Sequence, residues 1–178
     1  MGPMHADEPH DQQAEIDTFW DEARRRARLD WLPGFGAVTP VAALQPPAWS
    51  FGATLEQADA LLELVLNGTK TATASLLSDY DAEEDPVPEV GTMGIVLDGA
   101  GHPRALVATT AVRIVEFDRV PAEHAHAEGE GDRSLDYWRR VHREFFSTHS
   151  LGGAELPGDA PVVLEEFRLL YPEPPRQD

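Results

Sequence analysis

Two long stretches near the N-terminus carry apolar residues at helical spacing. Between Gln12 and Leu29 a single stripe predicts an amphipathic helix, formed by Ile16, Phe19, Trp20, Ala23 and Ala27. Thr54 and Gln57 then have the spacing of a capping box, with Thr54 as N-cap and Gln57 reaching back. A second stripe follows them, and it consists of Ala58, Leu61, Leu62, Val65 and Leu66. Gly68 stands where a left-handed residue ends a helix, so this second helix has both a predicted start and a predicted end.

Two further helices are predicted late in the chain. A short helix runs from Pro121 to about Ala127 and breaks at Gly129. Ser134 then caps a helix whose apolar face carries Leu135, Trp138, His142 and Phe145.

Strand patterns occupy most of the remaining core of the chain. Thr71–Leu77 alternates hydroxyl and apolar side chains, and Gly91–Leu97 is a strand followed by the hairpin signal Asp98-Gly99. A long β-prone run from Arg104 to Phe117 is predicted to bend near Thr109-Thr110. The last predicted strand is Pro161–Tyr171, which closes the sheet. Four or five strands with few helices between them predict an α+β fold, a small mixed or antiparallel β-barrel, closed or partly closed, with flanking α-helices.

The other segments read as connectors and tails. Residues 1–11 are predicted to be a disordered tail, and residues 12–49 form the first helix and a Pro- and Gly-rich connector that packs on the body. The acidic stretch 78–89 is interpreted as a loop, and residues 172–178 as a C-terminal tail. The folded domain that carries the predicted strands is therefore expected within residues 50–171.

Composition narrows the classes of function. The 178 residues suit one domain, and the absence of cysteine excludes disulfides, thiolate metal sites and a cysteine nucleophile. No signal peptide and no membrane-length apolar run is found, so a cytoplasmic protein without a membrane partner is expected. A net charge of −18 argues against a protein that coats double-stranded DNA. Four arginines between Arg133 and Arg143 still leave a local basic face for a short oligonucleotide or a nucleoside.

The arginines at 24, 25, 26 and 28 admit two interpretations. They suit the C-terminal turn of the first helix, where cations complement the helix dipole, and a basic helix for nucleic acid is the alternative.

Lys70 is the most informative single residue, because the chain has thirteen arginines and only this one lysine. A lysine provides a compact charge, rotatable donors and a pKa that burial lowers. Four hydroxyls lie within five positions of it: Thr69, Thr71, Thr73 and Ser75. A solvated lysine in a loop after a capped helix is the plain structural alternative.

Acidic residues and histidines alternate in a second stretch, which contains His124, His126, Glu128, Glu130 and Asp132. This spacing is not a zinc-protease motif, so no metal site and no certain cofactor is predicted. Weak binding of a divalent cation by the carboxylates stays an alternative. Glu128 precedes Gly129 at a predicted helix end, where a glycine allows close approach of a ligand to the backbone. A solvated helix-end glutamate is the plainer reading.

Two blocks resemble a known family. Gly68-Thr69-Lys70-Thr71-Ala72-Thr73 looks like the Gly-x-Lys-x-x-Thr signature of the ASCH family, whose β-barrel is related to the PUA RNA-binding domain. The segments 125–129, 131–135 and 138–139 are similar to the second block of that family. The resemblance covers about residues 50–171, and residues 1–49 resemble the helical lead-in of the longer bacterial members. It implies a cleft between barrel and helices, lined by the Lys70 turn and the Glu128 loop.

The resemblance implies two hydrolytic activities. Short members deacylate N4-acetylcytidine with a Lys, a Thr and a Glu that correspond to Lys70, Thr73 and Glu128. Longer members are ribonucleases, in which the same Lys and a Ser matching Ser134 matter. This chain has the longer architecture, so a ribonuclease acting on short or single-stranded RNA is the preferred prediction. The short members carry an Arg where this chain has Ser75, which argues against identical substrate handling.

Each activity assigns different roles to the same residues. In amide hydrolysis Thr73 is the nucleophile, Lys70 is a neutral base if it is desolvated, and Glu128 is a proton carrier or orients the other groups. In phosphodiester cleavage Lys70 stabilises the phosphorane, Glu128 takes the 2′-hydroxyl proton and Ser134 binds phosphate at its helix N-terminus. A non-catalytic binder of RNA or a nucleotide is the third hypothesis, and the oligomeric state is left open.

Further residues are predicted to contact the substrate, although core packing is favoured over base stacking for Trp138 from its position on the helix. They are Gly68, Thr71, Ser75, Gly129, Asp132, Arg133, Tyr137 and Trp138.

Overall fold

One mixed five-stranded sheet organises the fold in the computed structural model, which describes residues 11–27, 29 and 44–173. The strands are β1 (Ala48–Trp49), β2 (Ala72–Leu76), β3 (Met93–Leu97), β4 (Pro103–Glu116) and β5 (Pro161–Tyr171). Their order is β1-β3-β4-β5-β2. Only the β1–β3 pair is parallel, and the other three pairs are antiparallel.

The predicted α+β class is confirmed, whereas the barrel is looser than a closed one. Strands β1 and β2 form the two edges of the described sheet and do not pair with each other. The predicted bend of the fourth strand is present, because the β4–β5 register shifts between Thr109 and Ala111. Such an irregularity bends and twists a strand, which lets the long β4 curve across the sheet.

Five α-helices of the described ranges pack around this sheet. They are α1 (Gln12–Arg26), α2 (Leu55–Leu66), α3 (Leu77–Glu83), α4 (Ala122–Glu128) and α5 (Leu135–Phe145). A π-helical turn, Phe146–Ser150, continues α5. The predicted helices α1, α2, α4 and α5 are confirmed to within a few residues. No helix in the described ranges is long and apolar enough to cross a membrane.

The helix caps follow the predicted chemistry with one difference. The hydroxyl of Thr54 accepts a hydrogen bond from the backbone N–H of Gln57 at 3.2 Å. The side chain of Gln57 accepts from the N–H of Ala53 at 2.8 Å, one residue before the N-cap itself. Gly68 has a φ of +81° after the last turn of α2, as the capping prediction requires.

One prediction about a connector is wrong, and one short strand has no predicted counterpart. The acidic stretch 78–89 is not simply a loop, because its first part is α3, which follows β2 directly. Side-chain contacts stabilise this helix: the hydroxyl of Ser150 donates to Asp79 at 2.8 Å. The described end of the connector within residues 12–49 contains β1, a two-residue strand that pairs with β3. The predicted tails, apart from Asp11, Pro172 and Glu173, and connector residues 30–43 lie outside the described residues.

Three apolar clusters fill the interior, and two of them meet at the candidate site. One joins α4 and α5 to the sheet and includes Leu76, Phe117 and Trp138. A second lies under α2 and includes Phe51 and Phe167. The third attaches α1 to the sheet through Trp20 and its neighbours.

Candidate active site

The turn that carries Lys70 is fixed at both ends by backbone hydrogen bonds. The N–H groups of Thr69 and Lys70 both donate to the carbonyl of Leu64 at 2.9 Å, which ties the turn to the last turn of α2. The N–H of Thr71 then donates to the carbonyl of Ala127 in α4 at 2.8 Å. The Lys70 turn therefore joins the end of one helix to the end of another before the chain enters β2.

The glycine after Glu128 makes this junction close. Gly129 has a φ of +75° at the C-terminus of α4, and a Cβ built there would lie 2.6 Å from the carbonyl oxygen of Thr69. Any side chain at this position would both strain the backbone and overlap the Lys70 turn. The glycine thus permits Glu128 to lie directly beside the lysine.

The Lys70 ammonium lies between two carboxylates. It donates to Oε2 of Glu128 at 3.2 Å and to Oε1 of Glu130 at 2.9 Å. Lys70 is only 2% exposed, and its Nζ lies 5.2 Å from the centre of the Phe51 ring. Side chains 58 residues apart in sequence therefore meet, which is the juxtaposition on which the predicted cleft depends.

Glu128 is surrounded by donors on both of its oxygens. Its Oε1 accepts from Nε2 of His124 at 3.0 Å and from Nε1 of Trp138 at 2.7 Å. Its Oε2 lies 3.4 Å from Nε2 of His142, whose ring stacks on that of Trp138 at 4.1 Å. A carboxylate with this many donors is held in one orientation, so it also fixes the position of Lys70.

Lys70 and Glu128 each stabilise the charged form of the other. Burial alone raises the pKa of Glu128, but Lys70 and then His142 and His124 hold it well below its usual value. Burial likewise lowers the pKa of Lys70, yet Glu128 and Glu130 more than offset this and raise it above the usual value. Lys70 is therefore a cation at neutral pH in the free protein, which does not suit the role of neutral base considered for it.

The hydroxyl residues after Lys70 occupy separate positions. The Thr71 hydroxyl donates to the carbonyl of Ala127 at 3.3 Å, and Ser75 is hydrogen-bonded to Tyr80 of α3. Thr73 lies in β2 directly opposite Glu165 of β5. Within the described residues, no hydrogen bond joins Thr73 to Lys70, whose partners are Glu128 and Glu130.

Side chains of the loop after Glu130 accept hydrogen bonds from the backbone N–H groups at the N-terminus of α5. Asp132 accepts from the N–H of Ser134 at 2.9 Å, and the Ser134 hydroxyl accepts from the N–H of Tyr137 at 3.1 Å. The Ser134 contacts hold the pKa of Asp132 below its usual value, so a negative charge occupies this helix end. Arg133, with a φ of +63°, donates from Nε to the carbonyl of His126 at 3.0 Å.

The aromatic residues of α5 differ in their exposure. Trp138 is 2% exposed, in agreement with the favoured core-packing interpretation, and it contributes an N–H to Glu128 rather than a free ring face. Tyr137 is half-buried, and its ring covers Gly131, where a Cβ would lie 2.4 Å from the ring. Arg140 lies over the same ring at 5.2 Å.

Three of the four arginines of the predicted basic face donate to backbone carbonyls, and Arg133, described above, is one of them. Arg139 donates to the carbonyl of Asp118 at 2.9 Å, and Arg143 donates to that of Leu156 at 3.0 Å. Arg143 also lies 4.7 Å from the centre of the Phe117 ring. Within the described residues, Arg140 is the member of this group that donates no hydrogen bond, so it is the candidate for a ligand contact.

Sequence reasoning missed the roles of Glu130, His124 and His142. Glu130 and His124 appeared only as members of an alternating pattern, and His142 only as part of an apolar face. The available signals were the two glycines that flank Glu130 and the four-residue spacings His124–Glu128 and Trp138–His142, each of which places two side chains on one helix face. Among the described residues no group of three or more His, Asp or Glu side chains is arranged to hold a metal ion.

Comparison with known proteins concerns the family and the overall fold of this chain. A crystal structure of protein EF3133 from Enterococcus faecalis V583, of family DUF984, is 31% identical, with 89% of this chain and 91% of that chain covered and a TM-score of 0.73. An ASCH domain from Lactobacillus crispatus JV V101 is 28% identical, with 92% and 98% covered and a TM-score of 0.74. No curated protein matches significantly. The family model of the ASCH domain matches residues 47–171, which include both the Lys70 turn and the Glu128 loop, and the chain belongs to the ASCH domain family.

Proposed function

We propose that this protein is a hydrolase that acts on the amide carbonyl of a neutral modified nucleoside, the deacylase activity implied by the ASCH resemblance. The observation that carries the proposal is the pairing of the single Lys70 ammonium with two carboxylates. Lys70 contributes one positive charge, and Glu128 and Glu130 contribute two negative charges, so these three side chains carry one surplus negative charge. A neutral carbonyl group suits such a site, whereas a phosphodiester is repelled.

Lys70 has the properties of a donor to a developing oxyanion. When a carbonyl oxygen takes the place of Glu130 at Nζ, the ammonium keeps its bond to the buried Glu128 and stays oriented. Negative charge that develops on the oxygen is then stabilised by a fixed cation in a site with little water. Glu130 is the displaceable partner, since its side chain is 19% exposed while that of Glu128 is 1% exposed.

The ribonuclease activity preferred from sequence receives less support from the same region. Its phosphate was assigned to Ser134 and the N-terminus of α5, but Asp132 and the Ser134 hydroxyl already accept from that helix end. Arg139 and Arg143 are engaged with Asp118 and Leu156. Apart from Arg140, which lies over the Tyr137 ring, the groups predicted to bind a phosphate are therefore engaged by the protein's own atoms.

Running the two substrates side by side tests the proposal. Purified protein is incubated with N4-acetylcytidine and, separately, with single-stranded RNA, and release of cytidine and cleavage of RNA are followed. We expect deacylation without RNA cleavage, and loss of deacylation in Lys70→Ala and Thr73→Ala. Cleavage of RNA with acetylcytidine left intact would overturn the proposal, and binding of nucleosides without any turnover would favour the non-catalytic hypothesis.

The variant Glu130→Gln tests the charge argument separately. It removes one negative charge from Lys70 and keeps the shape of the side chain. We expect the affinity for cytidine monophosphate to rise relative to that for cytidine, because the repulsion of the phosphate is reduced. Calorimetric titration of both ligands measures this ratio, and an unchanged ratio would show that Glu130 does not set the charge preference.

A further inference from the structure

Thr73 requires a group that removes its proton if it is to act as the nucleophile. Lys70 does not suit this role, since Glu128 and Glu130 hold it protonated. Glu128 is equally unsuited, because Lys70, His124 and Trp138 already donate to its two oxygens. The base therefore has to come from outside the Lys70–Glu128 pair.

Glu165 is the residue that the sheet places beside Thr73. The two residues are directly paired in the antiparallel β2–β5 ladder. Side chains of such a pair lie on the same face of the sheet, with Cβ atoms about 5 Å apart. No other acidic residue is paired with Thr73 in the described sheet.

The carboxyl group of Glu165 is oriented but not neutralised. The hydroxyl of Thr109, which is 3% exposed, donates to its Oε1 at 2.5 Å. Within the described part of the chain, Glu165 forms no ion pair with an Arg, Lys or His, in contrast to Glu166, which pairs with Arg113 at 3.6 Å. The Thr109 hydrogen bond is to Oε1, so within the described residues it leaves Oε2 to face the side chains that neighbour Glu165 in the ladder, Thr73 among them.

Lys70 approaches the same side of the sheet. Phe167 lies two residues after Glu165 in β5 and therefore shares its face. Its ring packs on that of Phe51 at 6.2 Å, and the Phe51 ring lies 5.2 Å from Nζ of Lys70. Through Phe51 the ammonium therefore borders the cluster on the Thr73 and Glu165 face, whereas Glu128 connects it to Trp138 of the cluster on the other face.

The surroundings of Glu165 also shift its pKa in the direction that suits a general base. Burial raises its pKa above the usual value, and the Thr109 hydrogen bond offsets part of this increase. Burial and then the charges of Glu165, Asp79 and Glu83 raise the pKa of the nearby Tyr80, so its phenol stays protonated near pH 7. A carboxylate whose pKa lies closer to neutrality accepts protons more effectively than an ordinary one.

We propose that Glu165 is the general base for Thr73, an inference that rests on the amide hydrolysis proposed above. Glu165 takes the hydroxyl proton as the Thr73 oxygen bonds to the carbonyl carbon, and Lys70 stabilises the oxyanion. The C–N bond then breaks, the proton passes from Glu165 to the leaving amine, and an acyl ester remains on Thr73. Water, deprotonated by Glu165, cleaves this ester, releases the carboxylic acid and restores the Thr73 hydroxyl.

The variants Glu165→Gln and Glu166→Gln form a matched pair that tests this role. Glu166 is the next residue, on the opposite face, with its side chain 47% exposed. We expect E165Q to lower kcat on N4-acetylcytidine by about 100-fold or more with little change in KM, and E166Q to behave as the wild type. The rise of kcat/KM with pH on the acid side should also disappear in E165Q.

Thr109→Val gives a second readout that does not remove the base. Loss of the hydrogen bond raises the pKa of Glu165 further, so the acid side of the pH profile should move to higher pH in T109V. If E165Q keeps the wild-type kcat and pH profile while T73A is inactive, the role of Glu165 is overturned and the proposed function stands. If the wild type hydrolyses no nucleoside amide, both proposals are overturned.

Discussion

The Lys70 side chain shows how a buried charge is made tolerable. An isolated ammonium loses its hydration on burial, and only close counter-charges compensate for that cost. Here Glu128 and Glu130 provide them, and the donors around Glu128 keep the carboxylate in place. The same arrangement that stabilises the cation therefore also presents it in a fixed orientation.

Replacement of Lys70 by Met tests this interdependence. The variant keeps an unbranched apolar stem but leaves Glu128 buried without its main cationic partner. We expect the free energy of unfolding to fall by about 3–5 kcal/mol at pH 7. Urea denaturation measures this loss, and E130Q, which keeps the Lys70–Glu128 pair, serves as the control with a smaller loss.

The pH dependence of the same variant has a defined sign. The pKa of Glu128 is depressed in the folded wild type, so its contribution is present above the unfolded pKa and is lost as the pH falls through the folded value. In K70M the carboxyl protonates more readily, and its neutral form is less costly to bury. The stability difference between wild type and K70M should therefore shrink toward pH 4, and a difference that stays constant would contradict the account.

At the scale of elements, the site depends on the contact between the end of α4 and the Lys70 turn. At this junction the N–H of Thr71 donates to the carbonyl of Ala127. Gly129 lies so close to the carbonyl of Thr69 that a Cβ at this position would overlap it. Helix ends supply unpaired carbonyls and left-handed residues, and here both are used to join two segments.

The pair Gly129→Ala and Gly152→Ala separates backbone strain from this contact. Both glycines have positive φ, +75° and +61°, but nothing lies within 4 Å of a Cβ built at Gly152. We expect G152A to cost about 1 kcal/mol of strain, and G129A to cost about 1–3 kcal/mol more because its Cβ meets the Thr69 carbonyl. Urea denaturation of both variants measures the difference, and equal losses would show that the junction is loosely packed.

Local patterns predicted the elements whose signals are local. The capped helix α2, the turn at Asp98-Gly99 and the bend of β4 near Thr109 were all foreseeable from periodicity and turn chemistry. Helix α3 was not, because it has no apolar stripe and is stabilised by contacts such as Ser150 with Asp79. Strand β1 is defined entirely by its neighbour β3, so no pattern within its two residues marks it.

At the scale of the whole molecule, the candidate site combines residues from three distant parts of the chain. The resemblance to a family predicted that Lys70 and Glu128 share a cleft, and they are in contact. The partners of Glu128 on α5 and the Thr73–Glu165 pair arise from helix packing and strand order, which the residues alone did not specify. Sequence thus predicted the residue types of the site better than their interactions.

The overall charge of −18 leads to a last prediction about ionic strength. A neutral nucleoside binds without releasing counterions, so its KM should change less than about twofold between roughly 50 and 200 mM salt. A single-stranded RNA held by two phosphate contacts would lose about sevenfold in affinity over this range, and one held by six contacts about 300-fold. Steady-state kinetics and RNA retention across this range distinguish the cases. A steep loss of RNA affinity would mean that the protein binds nucleic acid over an extended surface, against the proposal of a small neutral ligand.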